Sequence, residues 1–181
     1  MEIRKGDIED FDRLEWAWSR DHSTQTVFKA RIRKGVQEFW VVDPGNSREL
    51  GGEFHIVWVS PDIDEADGVT RAYVCAFRVH SKYRGLGLGT ALKDAVLKRV
   101  ADQDREAVTI GVKKNRPEIK AMYMRWGFTE LIKIKRVDHH NFDRGGQPNE
   151  VTSPIELYLK HLKQPFIFGS MISNAHHGVE G

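Results

Sequence analysis

The segment Val79-His80-Ser81-Lys82-Tyr83-Arg84-Gly85-Leu86-Gly87-Leu88-Gly89-Thr90 decides the fold of this chain of 181 residues. It follows Arg71–Val79, whose valines, aromatics and alanines are typical of a buried strand. It precedes about Gly89–Asp102, where apolar residues recur at every fourth position, as in a helix. The segment is therefore predicted to be a glycine-rich turn between a strand and a helix. Unpaired N–H groups at such a helix start bind phosphate, and glycines let the phosphate approach the backbone.

The spacing of the glycines excludes two common phosphate-binding motifs. A Rossmann fingerprint, G-x-G-x-x-G, would need a third glycine where Thr90 or Leu92 stands. A Walker A loop would need Gly-Lys followed by Ser or Thr, and the chain contains no such tripeptide. What remains is R-x-x-G-x-G, formed by Arg84, Gly87 and Gly89.

Periodicity and turn residues predict further elements on both sides of this turn. In chain order they are strand Met1–Lys5, helix Asp7–Trp18, helix Ser23–Lys34, strands Glu38–Val42, Gly52–Val59 and Arg71–Val79, helix Gly89–Asp102, strand Val108–Val112, helix Pro117–Gly127, and strands Glu130–Val137 and Ile155–Leu162. The polar stretch Asp138–Ser153 is predicted to be a long loop. Hairpins mixed with crossover helices indicate an α/β fold around a partly antiparallel sheet.

Two motifs, well separated along the chain, resemble those of the GNAT superfamily of N-acetyltransferases. The first is that family's pyrophosphate motif, [Q/R]-x-x-G-x-[G/A], which the R-x-x-G-x-G above matches. In the second, an Asn follows the fifth strand, and a helix then carries a Tyr and ends in Gly-Phe. Asn115, Tyr123 and Gly127-Phe128 stand in that order here. The resemblance spans about Glu2–Leu162 and implies the GNAT fold, a mixed, mostly antiparallel sheet with flanking helices and a splayed central strand pair.

The resemblance also implies that acetyl-CoA is the co-substrate. In GNAT-like proteins the pyrophosphate rests on the glycine turn, and the pantetheine arm bonds the strand before it, where that strand splays from its neighbour. The reaction that this implies is direct attack of an amine on the thioester within a ternary complex. The implied cofactor-binding residues are Phe77, Arg78, Val79, Arg84, Gly85, Leu86, Gly87, Leu88, Gly89, Thr90 and Asn115.

Three residues are predicted to be catalytic. A phenol with a pKa near about 10 is protonated at neutral pH, so the family-like Tyr123 is the expected acid for the leaving thiolate. The alternative is a core position, since Tyr123 lies on the apolar face of its helix. Glu53 and His55 alternate with apolar residues on one strand and so share a face. They are the expected bases, with His80 as another option. Strand Arg71–Val79, where some relatives keep an acidic base, contains no Asp or Glu.

Two further sets of residues are interpreted as structural. Cys75 lies in mid-strand among apolar residues, where a free cysteine is usually a small buried hydrophobe rather than a nucleophile. Asp138, His139, His140 and Asp143 are expected in a solvated loop, because neighbouring histidines on a strand point to opposite faces. No metal site is therefore predicted.

Composition limits the class of partner. The formal net charge is +2, and 28 Lys+Arg are interleaved with 26 Asp+Glu, so nucleic-acid binding is not expected. A charged N-terminus, a single cysteine and the lack of a long apolar run predict a cytoplasmic protein that does not enter a membrane. The acceptor is expected to be a small-molecule or peptide amine. The acidic loop Pro61–Asp67 would attract a cationic one, although such loops are usually solvated.

Two expectations concern the organisation of the chain and one concerns an alternative function. Residues 1–162 are expected to form the GNAT domain, and residues 163–181 a C-terminal tail. The apolar cluster Phe166-Ile167-Phe168 in that tail suggests a homodimer contact. The alternative function is a non-catalytic module of the same fold that binds acyl-CoA, since the glycine turn would serve both.

Overall fold

The structure is a computed structural model, and it describes residues 1–163. Its elements are β1 (Glu2–Lys5), a 3₁₀ helix (Ile8–Leu14), α1 (Glu15–Trp18), α2 (His22–Arg33), β2 (Gln37–Asp43), β3 (Gly52–Val57), β4 (Arg71–Val79), a second 3₁₀ helix (Ser81–Tyr83), α3 (Leu88–Asp102), β5 (Ala107–Lys113), α4 (Pro117–Arg125), β6 (Glu130–Phe142) and β7 (Pro148–His161). The predicted helix Asp7–Trp18 is mostly 3₁₀ rather than α. The predicted tail lies outside the described residues from position 164 onward, and so does its apolar cluster.

The seven strands form one sheet in the order β1-β2-β3-β4-β5-β7-β6. Every neighbouring pair is antiparallel except β4 and β5, which run parallel. A parallel pair needs a long crossover connection, and α3 provides it. The predicted fold class is confirmed: a mixed, mostly antiparallel sheet with flanking helices.

Strand β3 is buried on both faces because helices cover both sides of the sheet. Phe54 and Ile56 pack with α3 in the larger hydrophobic core. Successive side chains of a strand point to opposite faces, so Glu53 and His55 point the other way. There the 3₁₀ helix, α1 and α2 close a second core around Trp18. Two polar side chains are thus placed inside the protein.

Four charged residues link the N-terminal strand, the 3₁₀ helix and the end of β2. Arg4 donates to both Asp10 (2.7 Å) and Asp43 (2.7 Å), and Arg13 donates to Asp43 at 3.0 Å. Asp7 and Asp10 form a reciprocal capping box at the start of the 3₁₀ helix. This arrangement holds the N-terminal helices over the sheet, where they form one wall of the second core.

The prediction of a long loop over Asp138–Ser153 is wrong. Strands β6 and β7 extend through it as a hairpin whose turn is closed by Asp143, which accepts from the backbone N–H groups of Gly145 (2.8 Å) and Gln147 (2.9 Å). The pairing register shifts at three points along the hairpin, so polar and apolar residues do not alternate as in a regular strand. The backbone N–H of Phe142 donates to Thr24 of α2 at 3.0 Å, which docks the hairpin against the N-terminal helices.

Within residues 1–163, the helices are too short or too polar to cross a membrane.

Candidate functional site

An open groove of about 680 Å³ lies where the glycine turn meets the end of β4 and the side of α4. Nine of the eleven residues predicted to bind the cofactor line it, and the exceptions are Leu86 and Asn115. Four lining residues were not predicted: Tyr83, Met122, Arg125 and Trp126. Met122 and Trp126 share the apolar face of their helix, so the sequence pattern predicts that both lie in the hydrophobic core. The structure turns that face partly toward the groove.

The glycine turn presents free backbone donors to this groove. Gly85 and Gly87 both have φ of +76°, a left-handed conformation that other residues rarely adopt, and a Cβ at either position would meet no atom within 4 Å. Gly87 is the N-cap of α3, and no side chain caps the helix there. Among the described residues, the first N–H groups of α3 therefore have no hydrogen-bond partner, and they carry the positive end of the helix dipole. This is an anion-binding geometry.

A third glycine lets the helix approach the strand. A Cβ on Gly89 would lie 3.1 Å from the ring of Phe77. That distance is tighter than ordinary contact, so the bare backbone here allows α3 to sit directly against the groove end of β4.

The strand pair β4 and β5 opens beside the groove. Arg71–Val74 pairs with β5, whereas the rest of β4 has no strand partner on that side within residues 1–163. A bulge causes the divergence: Glu53 faces Arg78 and His55 faces Cys75, so β4 carries one extra residue at this point. Ala76 within the bulge has φ of +53°. The splay that the family resemblance implies is thus present.

The remaining predicted cofactor residues occupy the rim or the exterior. The Arg84 side chain donates from Nε to the carbonyl oxygen of Val79 at 3.2 Å, which folds it over the end of β4. Leu86 is 62% exposed at the tip of the turn. Asn115 is exposed between β5 and α4, where its backbone N–H donates to Ser153 at 3.2 Å. Their contacts with a cofactor stay predictions.

A second, smaller pocket of about 230 Å³ lies between α1, α2, β4, α4 and the β6–β7 hairpin. Its lining residues are Trp18, Asp21, Thr24, Phe28, Tyr73, Cys75, Ala76, Arg78, Ile110, Gly111, Tyr123, Asp138, His140 and Asn141. Arg78 lines both cavities. Tyr123 lines this pocket, whereas its neighbours Met122 and Trp126 line the groove. Helix α4 therefore forms a shared wall between the two cavities.

Tyr123 is held as a neutral phenol. It packs against Trp126 and Phe128 with ring centroids 5.6 Å and 6.4 Å away. Burial raises the pKa of Tyr123 to about 12, so the hydroxyl keeps its proton at neutral pH. Tyr123 lines the smaller pocket, and a protonated phenol at a pocket wall is able to donate a proton there.

Glu53 and His55 are fully buried, with 0% of each side chain exposed. Gln37 Nε2 donates to His55 Nδ1 at 3.0 Å, and His55 Nε2 then donates to Glu53 at 2.8 Å. Burial lowers the pKa of His55 despite this carboxylate. Glu53 also accepts from Arg78 at 2.9 Å. Neither side chain lines either cavity, so their link to the site passes through Arg78, and a catalytic role for them stays a prediction.

Cys75 and the predicted alternative base take structural positions. Burial raises the pKa of the Cys75 thiol well above its usual range, and the charge of Asp138 raises it further. The nucleophilic thiolate is thereby disfavoured. His80 accepts at Nδ1 from the backbone N–H of Lys82 at 3.1 Å and packs edge-on against Trp16 at 4.9 Å.

The acidic loop before β4 does not present free charge to a ligand. Asp62 and Asp64 accept from Lys133 at 2.8 Å and 3.0 Å. Asp67 accepts from the backbone N–H groups of Val69, Thr70 and Arg71. Glu65 is fully buried and pairs with Lys135. These contacts give the acidic residues of this loop a structural role.

His140 belongs to a buried network rather than to a solvated loop, contrary to the prediction. Arg31 donates from Nη1 to His140 Nδ1 at 3.0 Å, so Nε2 carries the ring hydrogen and donates to Glu65 at 2.6 Å. Burial and the charge of Arg31 lower the pKa of His140. The imidazole is thus a neutral spacer on the pocket wall. In the described part of the chain, no three His, Cys, Asp or Glu side chains are grouped to hold a metal ion.

Comparison with known families identifies a match that contains the groove. The model of the family described as "Acetyltransferase (GNAT) family" matches residues 6–128. No curated protein is similar enough in sequence to count as a match.

Solved structures share the fold at low sequence identity. A Streptococcus mutans protein is 19% identical, with a TM-score of 0.61 over 90% of this chain and 100% of that one. A GNAT family acetyltransferase from Elizabethkingia anophelis, solved with acetyl-CoA bound, is 14% identical, with a TM-score of 0.60 over 89% and 97%. Spermidine N-acetyltransferase from Vibrio cholerae is 12% identical, with a TM-score of 0.59 over 89% and 95%.

Proposed function

Since the chain belongs to the GNAT family of acetyltransferases, we propose that it transfers the acetyl group of acetyl-CoA to an amine, by direct attack within a ternary complex. The observation that carries this proposal is the position of α4. One side of the helix lines the open groove at the glycine turn, and Tyr123 on the same helix lines the smaller pocket. A donor and an acceptor bound in these cavities would meet at Arg78 and the gap between β4 and β5.

The groove suits the chemical parts of acetyl-CoA. The free N–H groups of Leu88, Gly89 and Thr90 favour the pyrophosphate, and the guanidinium groups of Arg84 and Arg125 add positive charge at the rim. The unpaired backbone of β4 beyond the bulge offers hydrogen bonds to an amide-containing arm. Acetyl-CoA supplies a thioester carbonyl that an amine can attack as the thiolate departs.

Tyr123 is the proposed acid for the departing thiolate. A thiol such as cysteine has a pKa near about 8.5, so a phenol whose pKa is raised to about 12 is a weak acid by comparison. Its contribution is therefore to hold a hydrogen bond on the sulfur and to pass the proton as the C–S bond breaks. Placement beside the gap between the strands supports this role.

Glu53 and His55 are proposed to act by positioning Arg78. Glu53 accepts from the Arg78 guanidinium and from Trp18 Nε1 at 3.2 Å, and the Arg78 guanidinium lies 4.3 Å from the Trp18 ring centroid. Held in this way, Arg78 keeps one orientation between the two cavities. The proposed acceptor is a small-molecule or peptide amine. A cytoplasmic location and a homodimer remain predictions from the sequence.

Release of free CoA tests the proposal. We expect the protein to release CoA from acetyl-CoA when an amine from a panel of polyamines, amino acids and short peptides is added, with mass spectrometry showing the acetylated amine. The variant Tyr123→Phe is expected to lower kcat by roughly 10²–10⁴-fold, as loss of a proton donor does. Tyr158→Phe removes another buried hydroxyl, which pairs with Glu156 outside both cavities, and is the control.

The outcomes separate enzyme from binding module. Unchanged turnover in Tyr123→Phe would refute its role as an acid. Binding of acetyl-CoA without CoA release from any amine would favour the alternative, a non-catalytic acyl-CoA-binding module of the same fold.

A further inference from the structure

The smaller pocket, which is the proposed acceptor site, contains a carboxylate that accepts a hydrogen bond at one of its two oxygens, that of Asp138. Asp138 accepts at Oδ1 from the backbone N–H of His140 at 2.9 Å. Across residues 1–163, no side chain or backbone group donates to its other oxygen, Oδ2. The register shifts on either side of Asp138 in β6 break the strand's regular alternation and turn this residue into the pocket.

The other acidic group of the pocket is already satisfied. Asp21 accepts at Oδ1 from the backbone N–H of Thr24 at 3.1 Å, as the N-cap of α2, and at Oδ2 from Asn141 at 3.0 Å. Both of its oxygens therefore serve the structure. Asp138 is the carboxylate in this pocket with capacity for a ligand.

The cations nearest to Asp138 are engaged elsewhere. Arg31 donates to His140 Nδ1 and to the carbonyl oxygen of His139, and Lys135 pairs with Glu65. The guanidinium of Arg78, which also lines the pocket, is paired with Glu53 at 2.9 Å. Within residues 1–163, Asp138 forms no ion pair, although the charges of Arg31 and Lys135 act on it from nearby. Its Oδ2 can therefore accept a hydrogen bond from a cation in the pocket.

We propose that Asp138 receives the ammonium group of the acceptor and takes its proton, so that the acceptor is an alkylammonium rather than an arylamine that is neutral at pH 7. This inference rests on the proposed function. An alkylammonium has a pKa near about 10.4, so it must lose a proton before its nitrogen can attack. The phenyl ring of Phe28 and the phenol of Tyr73 also line the pocket, and aromatic rings favour a bound cation.

The protons balance as follows. The ammonium gives one proton to Asp138, and the lone pair released forms the C–N bond to the acetyl carbon. The C–S bond then breaks, the sulfur receives a proton from Tyr123, and the nitrogen loses its second proton to restore that hydroxyl. Asp138 returns its proton to solvent. The sum is an ammonium and a thioester giving an amide, a thiol and one H⁺.

A matched pair of probes tests the inference. Phenethylamine is an ammonium at pH 7 and aniline is neutral, and both carry one phenyl ring. We expect the intact protein to prefer phenethylamine, and Asp138→Asn to lower kcat/KM for it by roughly 10²–10⁴-fold while acetyl-CoA binding stays unchanged. Turnover of aniline, if measurable, should fall by less than about 10-fold. Asparagine keeps an oxygen for the His140 N–H, and Glu150→Gln, an exposed residue of the same hairpin, is the control.

The other outcomes overturn either this inference or the proposed function. Equal turnover of phenethylamine by Asp138→Asn and the intact protein would overturn the inference, and so would a preference for aniline. An equal loss for both probes would assign Asp138 a structural role and likewise overturn it. The intact protein is also tested with 1,4-diaminobutane and with a peptide that has a free α-amine. If it acetylates neither of these nor either probe, the proposed function is overturned instead.

Discussion

Replacing Gly87 by tryptophan should abolish acetyl-CoA binding while leaving the fold intact. Its φ of +76° is left-handed, and a side chain there costs roughly 1–2 kcal/mol. For a chain of this size, each kcal/mol lowers the melting temperature by about 2–4 °C. We therefore expect a fall of about 2–8 °C, which a stable domain tolerates.

The loss of binding is expected because the indole ring would occupy the part of the groove that binds the anion. Gly87 lines the groove, and its Cβ direction is open, so the ring would cover the first N–H groups of α3. A hydrogen bond to a charged group contributes roughly 1.5–3 kcal/mol. Losing two of them would raise the Kd of acetyl-CoA by roughly 10²–10⁴-fold.

Gly35→Trp is the matched control. Gly35 has φ of +75°, and a Cβ there likewise meets no atom within 4 Å, but it follows α2 outside both cavities. Calorimetric titration should show acetyl-CoA binding by the intact protein and by Gly35→Trp, and none by Gly87→Trp, with similar melting temperatures for the two variants. Equal binding by both variants would refute the assignment of the groove. No binding by the intact protein would refute the cofactor proposal itself.

Three further predictions concern packing, charge and positioning. Gly52→Ala should destabilise the protein by about 1–3 kcal/mol in urea unfolding, because the new Cβ would lie 2.8 Å from the backbone oxygen of Arg78; a neutral result would mean that the bulged strand yields. Hydrogen bonds from Arg13 hold the pKa of Asp43 well below its usual range, so the stability they add is present above about pH 3.9 and lost as pH falls further. Asp43→Asn should therefore cost on the order of 1–2 kcal/mol at pH 7 and less at pH 2, where part of this stability is already lost, and equal costs at both would contradict this. Glu53→Gln should free Arg78 and lower kcat more than it raises the KM of the amine, and unchanged kinetics would exclude the positioning role.

The groove could be predicted from the sequence because the patterns that indicate it are local. The strand before the turn, the glycine spacing and the apolar repeat of α3 lie within one continuous stretch, and each element depends on residues close to it in the chain. Gly85 and Gly87 have the positive φ that makes glycine necessary there. Nine of the predicted cofactor residues consequently line one cavity.

The smaller pocket could not be predicted in the same way, because its geometry depends on contacts distant in sequence. The alternation of Glu53 and His55 correctly predicts a shared face, but that face is covered by helices from the N-terminal region, and pattern alone cannot show this. The register shifts of the β6–β7 hairpin conceal its strands, so Asp138 resembled a loop residue. Its position in a pocket depends on the docking of Phe142 against Thr24.

The two cavities share one lining residue within the described chain, Arg78, and otherwise draw on different residues. The groove is made entirely of residues 77–126, whereas Asp138, His140 and Asn141 reach the pocket from the hairpin. Under the proposed function, choice of amine and handling of the acyl donor are therefore separable traits, and mutations after residue 128 are expected to change the first without disturbing the second. A chimera that receives the hairpin of another acetyltransferase should inherit part of that enzyme's selectivity while retaining its own donor affinity.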